Sequence, residues 1–238
     1  MRWAARPSAR VRLFCFPYAG GGASIYRGWH ERLPAHVEVF AVQPPGRESR
    51  LAEAPYSRMA DLLPSLAEGL TPLLDRPFAF FGHSLGAAVG FELTRYLRRT
   101  GGELPGHLFV SGRQAPHLPS RNERIHAMSD DAFLAGVRKL DGISPELFDH
   151  PELLELLLPL LRADFTLSED HAYRPEHKLD IPITAFHGSD DPTTRESEMA
   201  AWAAHTSGPF ALRTLPGDHF FLRAEQERLL AEISERLG

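Results

Sequence analysis

The sequence predicts an α/β fold in which helices cover both faces of a mainly parallel sheet. Short apolar runs alternate with segments of helical spacing along most of the chain, which is typical of parallel strands joined by helices. The clearest unit is residues 78–90, where an apolar run leads through a tight turn directly into a helical pattern. A chain of 238 residues is long enough to form one large domain of this kind.

The turn within residues 78–90 carries a candidate nucleophile. Gly82, Ser84 and Gly86 spell Gly-x-Ser-x-Gly, a pattern that holds a serine on a sharp strand-to-helix turn. Glycines suit the positions beside the serine because they have no Cβ, so the strand and the helix can approach closely. The apolar strand before the pattern and the helix after it favour this interpretation over the alternative, a glycine-rich turn without chemistry.

The composition excludes several classes of partner. A net charge of −5 gives no basic surface for nucleic acid or for an anionic membrane. No apolar run approaches the ~20 residues that span a bilayer, and the arginine-rich start lacks the apolar core of a signal peptide. We therefore expect a cytoplasmic protein. Cys15, the single cysteine, lies in an apolar run and is predicted to be a core residue.

Periodicity and the positions of glycine and proline place the individual elements. Strands are predicted at residues 11–16, 37–42, 78–81, 107–110, 182–187 and 210–215. Helices are predicted at residues 24–33, 56–74, from the serine turn to 100, and at 129–139, 152–167, 196–205 and 224–237. Pro64 and Pro72 are expected to bend or break the second of these helices.

Residues 113–178 interrupt the alternation of strands and helices. This segment shows no convincing strand pattern, and it is far longer than the about 2 to 6 residues that normally connect elements. We predict a helical lid inserted into a single domain that spans residues 1–238. The leucines between residues 153 and 161 should be covered on more than one side or form the roof of an apolar pocket. The alternative is a helix buried in the main core.

The loops that follow the predicted strands hold further candidate site residues. The glycines at residues 20–22 can bring backbone N–H groups to a ligand, but the phosphate-binding patterns G-x-x-x-x-G-K-[ST] and G-x-G-x-x-G are absent. We predict instead an oxyanion hole formed by the backbone N–H groups of Leu85 and of a residue near Ala19. Arg47 and Arg50 are predicted either to be solvated or to contact an anionic arm of the substrate.

A nucleophilic serine needs a base, and a base of fixed tautomer needs a carboxylate. Ser84, Asp191 and His219 lie at the ends of separate predicted strands, in the order nucleophile, acid, base. His219 is preferred among the 12 histidines because it follows Pro-Gly-Asp on a loop after a strand. Asp191 is preferred by its register after the strand, with Asp190 as the alternative. The sequence contains no zinc-binding motif, so neither a metal nor another cofactor is expected.

At these residues the chain resembles the stand-alone type II thioesterases that accompany polyketide synthases and nonribosomal peptide synthetases, within the α/β-hydrolase family. The resemblance covers nearly the whole length. It rests on Phe14-Cys15-Phe16-Pro17-Tyr18-Ala19-Gly20-Gly21, Gln43-Pro44-Pro45-Gly46-Arg47, Phe81-Gly82-His83-Ser84-Leu85-Gly86, Gly188-Ser189-Asp190-Asp191 and Gly217-Asp218-His219-Phe220.

The resemblance implies an α/β-hydrolase fold and the hydrolysis of acyl groups stalled on the phosphopantetheine arm of an acyl or peptidyl carrier protein. It implies a catalytic triad of Ser84, Asp191 and His219, with oxyanion donors in the backbone of Ala19 and Leu85. We expect a monomer that needs no cofactor. Two other functions stay open: an esterase or acyltransferase with the same triad, and a non-catalytic partner of a synthase that keeps the fold.

Overall fold

The computed structural model describes residues 1–139 and 150–238, and within them six strands form a sheet. The strands are β1 (Val11–Phe16), β2 (Val37–Ala41), β3 (Phe78–His83), β4 (His107–Ser111), β5 (Ile183–Gly188) and β6 (Phe210–Leu215). They lie in the order β2-β1-β3-β4-β5-β6, and every neighbouring pair is parallel. The carboxyl ends of all six strands therefore meet at one edge, where an open parallel sheet carries its functional groups.

Helices connect these strands. The α-helices in the described ranges are α1 (Trp29–Arg32), α2 (Met59–Leu70), α3 (Leu85–Thr100), α4 (Asp130–Lys139), α5 (Pro151–Glu169), α6 (Glu196–Ala200), α7 (Phe221–Ala224) and α8 (Gln226–Leu237). Shorter 3-10 helices lie at Ala23–Tyr26, Glu48–Arg50, Thr71–Leu73 and Ala201–His205. Of the helices in residues 1–139 and 150–238, none combines the length and the apolar character needed to cross a membrane.

Two hydrophobic cores lie on opposite faces of the sheet. On β1, Phe14 and Phe16 belong to the core that includes residues of α2 and α3, whereas Leu13 and Cys15 belong to the core that includes residues of α1 and α8. Because successive side chains of a strand point to opposite faces, helices cover both sides of the sheet. The predicted α/β architecture with a parallel sheet is confirmed. Cys15 is buried in this core, and its burial raises the pKa of its thiol.

Two of the predicted helices are interrupted. Residues 24–33 form a 3-10 helix and then the short α1, because Gly28 between them has a left-handed φ of +83°. The final helical region starts before residue 224, at Phe221, and breaks at Glu225 between α7 and α8. Apolar spacing alone does not reveal such breaks, because the same hydrophobic face continues on both sides of them.

Residues 113–178 contain α4 and α5, and the described parts of this segment contain no strand. Residues 140–149 lie outside the described residues. The helix α5 is covered mainly along its second half: Leu160, Leu161 and Leu167 are buried, whereas Leu153 and Leu156, near its start, are 43% and 55% exposed. The prediction that the leucine run is covered on several sides is therefore wrong for its first half. Leu161 joins a small core with α4, separate from the two cores of the sheet.

Candidate active site

Ser84 stands on the turn between β3 and α3 at the carboxyl end of the sheet. Its φ of 53° and ψ of −115° are rare for a residue with a side chain, and this conformation defines a sharp elbow. A Cβ added at Gly82 would overlap the carbonyl oxygen of Gly86, and one added at Gly86 would overlap the carbonyl oxygen of Phe16. The two glycines are therefore required by the close approach of β3, α3 and β1.

Of the two backbone N–H groups at the elbow, that of Ser84 is bonded within the protein and that of Leu85 lies at the start of α3. The N–H of Ser84 donates to the carbonyl of Ser111 at 2.8 Å, which ties the turn to β4. Leu85 is the first residue of α3, and N–H groups in the first turn of a helix have no acceptor within the helix. The N–H of Leu85 thus lies where the helix dipole favours a developing negative charge.

The structure brings His219 and Asp191 together, although they are far apart in the sequence. His219 Nδ1 lies 2.9 Å from Asp191 Oδ2, and both side chains are buried. Asp190 is exposed, and its carboxylate accepts a hydrogen bond from the hydroxyl of Ser189 at 2.8 Å. Of the two neighbouring aspartates, it is Asp191 that contacts the imidazole.

Two threonines that the sequence analysis did not single out hold Asp191 in place. Thr193 donates to Asp191 Oδ1 from both its backbone N–H, at 2.8 Å, and its hydroxyl, at 2.7 Å. The hydroxyl of Thr194 donates to Asp191 Oδ2 at 2.9 Å. The detectable signal is Asp191 followed by Pro-Thr-Thr, since an aspartate side chain often accepts the backbone N–H of the residue two positions later.

These contacts keep Asp191 charged. Burial by itself raises the pKa of the Asp191 carboxyl, but the hydrogen bond and charge of His219, together with the hydrogen bonds from Thr193, lower that pKa below its ordinary value. A carboxylate that is charged and fixed in orientation holds the proton of the imidazole on Nδ1 and leaves Nε2 free to accept one.

His83, the residue before the serine, packs under this pair. Its ring centroid is 4.9 Å from that of His219, and its Nδ1 lies 2.9 Å from the hydroxyl of Ser111. Burial lowers the pKa of His83 well below its ordinary value, and the charge of His219 acts in the same direction. The His83 side chain is therefore neutral at pH 7, and its ring packs against that of His219.

The loop after β1 turns sharply beside the serine. The N–H of Gly21 donates to the carbonyl of Tyr18 at 2.9 Å, and Gly20 has a φ of +78°. The N–H of Gly20 donates to Asp164 Oδ2 at 2.7 Å. Because these two N–H groups already have acceptors inside the protein, the loop favours Ala19 as the residue whose N–H faces a substrate.

Four of the five predicted site residues line one cavity of about 540 Å³. Ser84, His219, Ala19 and Leu85 line it directly, and Asp191 lies behind His219. The 113–178 segment supplies many of the other lining residues, including Arg113, Gln114, Arg121, Ile125, Phe165 and His171. These lining residues are both polar and apolar, since they include arginine and glutamine as well as isoleucine and phenylalanine.

Metal binding has no support in the described residues. Across residues 1–139 and 150–238, no group of three or more His, Cys, Asp or Glu side chains is arranged to hold a metal ion. His171, which lines the cavity, instead lies 3.1 Å from the carboxylate of Glu92. His219 and Asp191 form a hydrogen-bonded pair, and Ser84 lines the same cavity as His219.

Comparison with known proteins decides the family. The model of the thioesterase domain family matches residues 11–237, nearly the full length of the chain. The chain is a member of the thioesterase family. The resemblance noted in the sequence is thereby confirmed, and the family hydrolyses acyl thioesters.

Three relatives of this thioesterase-family chain cover almost all of it. The protein named linear gramicidin dehydrogenase LgrE, from Brevibacillus parabrevis, is 49% identical over 99% of this chain and 92% of its own. RedJ, the thioesterase of the prodiginine pathway in Streptomyces coelicolor, has a TM-score of 0.91 and 41% identity over 97% of this chain and 92% of its own. BorB, the type II thioesterase of the borrelidin biosynthetic cluster, has a TM-score of 0.90 and 38% identity over 100% and 97% of the two chains.

These matches also establish the α/β-hydrolase fold of the present thioesterase-family chain and its class, a serine hydrolase. The name of LgrE refers to a dehydrogenase. The present chain lacks the G-x-G-x-x-G pattern with which many dehydrogenases bind a dinucleotide, and its glycine loop after β1 is bound to Asp164 and Tyr18 instead.

Proposed function

We propose that this chain hydrolyses acyl thioesters on the phosphopantetheine arm of acyl or peptidyl carrier proteins, and so removes stalled or aberrant acyl groups from a polyketide or nonribosomal peptide synthase. The observation that carries the proposal is the buried hydrogen bond of 2.9 Å between His219 and Asp191, beside a cavity that Ser84 also lines. The names of RedJ and BorB, both thioesterases of biosynthetic pathways, support the choice of substrate.

The first half of the proposed reaction forms an acyl-enzyme. Ser84 Oγ attacks the thioester carbonyl while Nε2 of His219 takes the hydroxyl proton. The resulting oxyanion accepts hydrogen bonds from the backbone N–H groups of Ala19 and Leu85, and each such donor is worth roughly 10²- to 10³-fold in rate. The carbon–sulfur bond then breaks, and the phosphopantetheine thiol leaves with the proton that His219 held.

The second half releases the acid. His219 Nε2 accepts a proton from a water molecule, and the oxygen of that water attacks the acyl-enzyme carbonyl. When the tetrahedral intermediate collapses, Ser84 Oγ receives the proton back and the carboxylic acid departs. Asp191 stays ionised throughout and stabilises the imidazolium that forms in both halves. The proposed reaction consumes one water molecule. It needs no cofactor, because serine, histidine and aspartate supply all of its nucleophilic and acid–base chemistry.

We propose that residues 113–178 act as the lid of this site within a single domain. Described residues of the segment line the same cavity as Ser84, and α5 contacts the loop after β1 through Asp164. A phosphopantetheine arm is long and thin, so a cavity of about 540 Å³ has room for the thioester and a short acyl group. A monomeric state and a cytoplasmic location remain predictions of the sequence.

A panel of substrates tests the proposal. One set of acyl groups is presented on a holo carrier protein and, in parallel, as simple oxygen esters, and products are identified by mass. We expect hydrolysis with a higher kcat/KM for the carrier thioesters, lost in Ser84→Ala. Preference for simple esters points to an esterase, and transfer to an added alcohol or amine points to an acyltransferase. Absence of turnover in every arm contradicts an enzymatic role.

A further inference from the structure

A buried ion pair joins the loop after β2 to helix α5. Arg47 Nη1 lies 2.8 Å from Asp164 Oδ2, and Arg47 Nη2 lies 2.9 Å from Asp164 Oδ1, so the contact is bidentate. The two side chains are 6% and 5% exposed. Of the two roles predicted for Arg47, solvated surface residue or contact to an anionic substrate arm, neither fits a guanidinium that is buried and held by a carboxylate.

This ion pair also binds two peptide groups of the glycine loop, the one between Ala19 and Gly20 and the one between Gly21 and Gly22. Asp164 Oδ2 accepts the N–H of Gly20 at 2.7 Å, and Arg47 Nη1 donates to the carbonyl of Gly21 at 3.0 Å. We name these four residues, Arg47, Asp164, Gly20 and Gly21, the latch. Its backbone part lies immediately next to the proposed oxyanion donor.

The conformation of the loop depends on the latch. With the Gly21 N–H bonded to the Tyr18 carbonyl and a φ of +78° at Gly20, the residues from Tyr18 to Gly21 form a type II turn. The peptide between Ala19 and Gly20 is the one whose orientation distinguishes type II from type I turns. Asp164 binds the N–H of this peptide and so selects one orientation.

Helix α5 also packs against the same turn. Leu161 lies one helical turn before Asp164, and a Cβ added at Gly20 would come within 2.7 Å of Leu161 Cδ2. The carboxylate and the leucine therefore hold the turn only when α5 is seated on the rim of the sheet. A displacement of α5 removes an acceptor and a packing surface from the turn at once.

General stability is a poor explanation for a buried ion pair, because desolvation of two charges offsets much of their attraction. A role in fixing the conformation of the glycine loop explains the ion pair better. We propose that Arg47 and Asp164 are positioning residues: they hold the turn from Tyr18 to Gly21 in one conformation, and through the turn they keep the Ala19 N–H in place for the thioester oxyanion. This half of the oxyanion hole then depends on the seating of α5. This inference rests on the proposed function.

The test uses Asp164→Asn, which keeps the shape but removes the charge that binds Arg47 and leaves only a weaker, neutral acceptor for the Gly20 N–H. The enzyme concentration is fixed by active-site titration, so that a loss of folded protein does not count as a loss of rate. We expect kcat for acyl-thioester hydrolysis to fall about 10²-fold, the effect of one impaired oxyanion donor, while KM changes little. Arg47→Lys, which keeps the charge but not the bidentate fork, should lie between this variant and the wild type.

A second readout separates positioning from mere structure. A trifluoromethyl ketone analogue adds to Ser84 Oγ and places a tetrahedral oxyanion in the hole, so its affinity should weaken by the same factor as kcat in Asp164→Asn. The matched control is Glu38→Gln. Glu38 is also buried and accepts from a backbone N–H, that of Arg6 at 3.0 Å, and from a guanidinium, that of Arg12 at 3.3 Å, but it lies on β2 among contacts that do not involve the cavity.

Glu38→Gln should lower stability and leave both the titrated kcat and the inhibitor affinity unchanged. The inference is contradicted if Asp164→Asn and Arg47→Lys retain wild-type kcat and inhibitor affinity per titrated site, or if Glu38→Gln reduces them equally. If instead the wild-type protein hydrolyses no acyl thioester, it is the proposed function that fails.

Discussion

Thr193 Oγ1 lies 2.9 Å from His219 Nδ1, the same nitrogen that contacts Asp191. The hydroxyl of Thr193 donates its own proton to Asp191 Oδ1 at 2.7 Å, so toward His219 it acts as an acceptor. The Nδ1 proton is therefore shared between a carboxylate and a hydroxyl that are themselves hydrogen bonded. This second connection fixes the imidazole ring as well as the carboxylate.

We predict that Thr193→Val lowers kcat by about 10- to 10²-fold, because a hydrogen bond to a charged group contributes about 1.5 to 3 kcal/mol and its loss loosens both Asp191 and His219. Thr193→Ser keeps the hydroxyl and is the matched control, with activity close to that of the wild type. Steady-state hydrolysis of an acyl thioester measures both. Equal rates for the valine and serine variants contradict a role for the hydroxyl.

A pair of neighbouring variants tests the choice of carboxylate. Asp191→Asn should lower kcat by about 10³- to 10⁴-fold, because an amide at this position no longer stabilises the imidazolium or enforces the tautomer. Asp190→Asn changes the same charge on an exposed residue and should have little effect. If kcat falls more in Asp190→Asn than in Asp191→Asn, with both proteins folded, the acid is Asp190 and our assignment is wrong.

The elbow makes a prediction about stability. Gly86→Ala places a methyl group against the carbonyl oxygen of Phe16, so we expect a loss of about 3 kcal/mol or more in the free energy of unfolding. Gly90→Ala, one turn later on α3, meets its nearest atoms at 3.5 Å, which is ordinary contact. It should be neutral or raise stability by about 0.5–1 kcal/mol. Urea denaturation of both variants checks this, and similar values for the two contradict it.

Stability should fall as the pH falls through the mildly acidic range. Burial lowers the pKa of His107 and of His205 to about 4, and it lowers that of His83 well below its ordinary value. Each imidazole has a pKa of about 6.5 in the unfolded chain. Between about pH 6.5 and pH 4 the unfolded state therefore binds more protons at His107 and His205, and each of these two histidines removes about 1.4 kcal/mol of stability per pH unit as the pH falls.

His107 is the histidine best suited to test this dependence, because it lies at the opposite end of β4 from the active site. His107→Gln retains a polar group beside the hydroxyl of Thr184 and should reduce the slope of unfolding free energy against pH by about 1.4 kcal/mol per unit. Urea denaturation at a series of pH values gives that slope. Asp191 does not interfere, since a carboxyl with a lowered pKa loses its stabilising effect only at more acidic pH. An unchanged slope contradicts the prediction.

The sequence predicts the parts of this molecule that are encoded locally. The predicted strand at residues 210–215 matches β6, and the run at residues 11–16 matches β1. Both segments are mainly apolar, and prolines next to them, at residues 17, 209 and 216, mark where they end. The break at Gly28 depends instead on a single left-handed residue, which a hydrophobic pattern does not report.

Long-range partners are the part that the sequence does not predict. Nothing near Arg47 indicates that its carboxylate partner lies 117 residues away on α5. A surface arginine and a buried one have the same local sequence signals. The sequence therefore does not reveal that Arg47 is buried, and neither expectation for it, solvation or contact to an anionic substrate arm, describes the ion pair with Asp164. Thr193 is different, because its contact to Asp191 spans two residues and a local motif indicates it.

Covalent labelling of Ser84 is the most direct test of the account as a whole. A serine-directed fluorophosphonate is incubated with the protein, and the modified residue is identified by peptide mass spectrometry. We expect one label per chain on Ser84, slowed strongly in His219→Ala, absent in Ser84→Ala, and accompanied by complete loss of acyl-thioester hydrolysis. A label on another residue, or hydrolysis that persists in purified Ser84→Ala, would contradict the central claim that this serine at the elbow is the nucleophile.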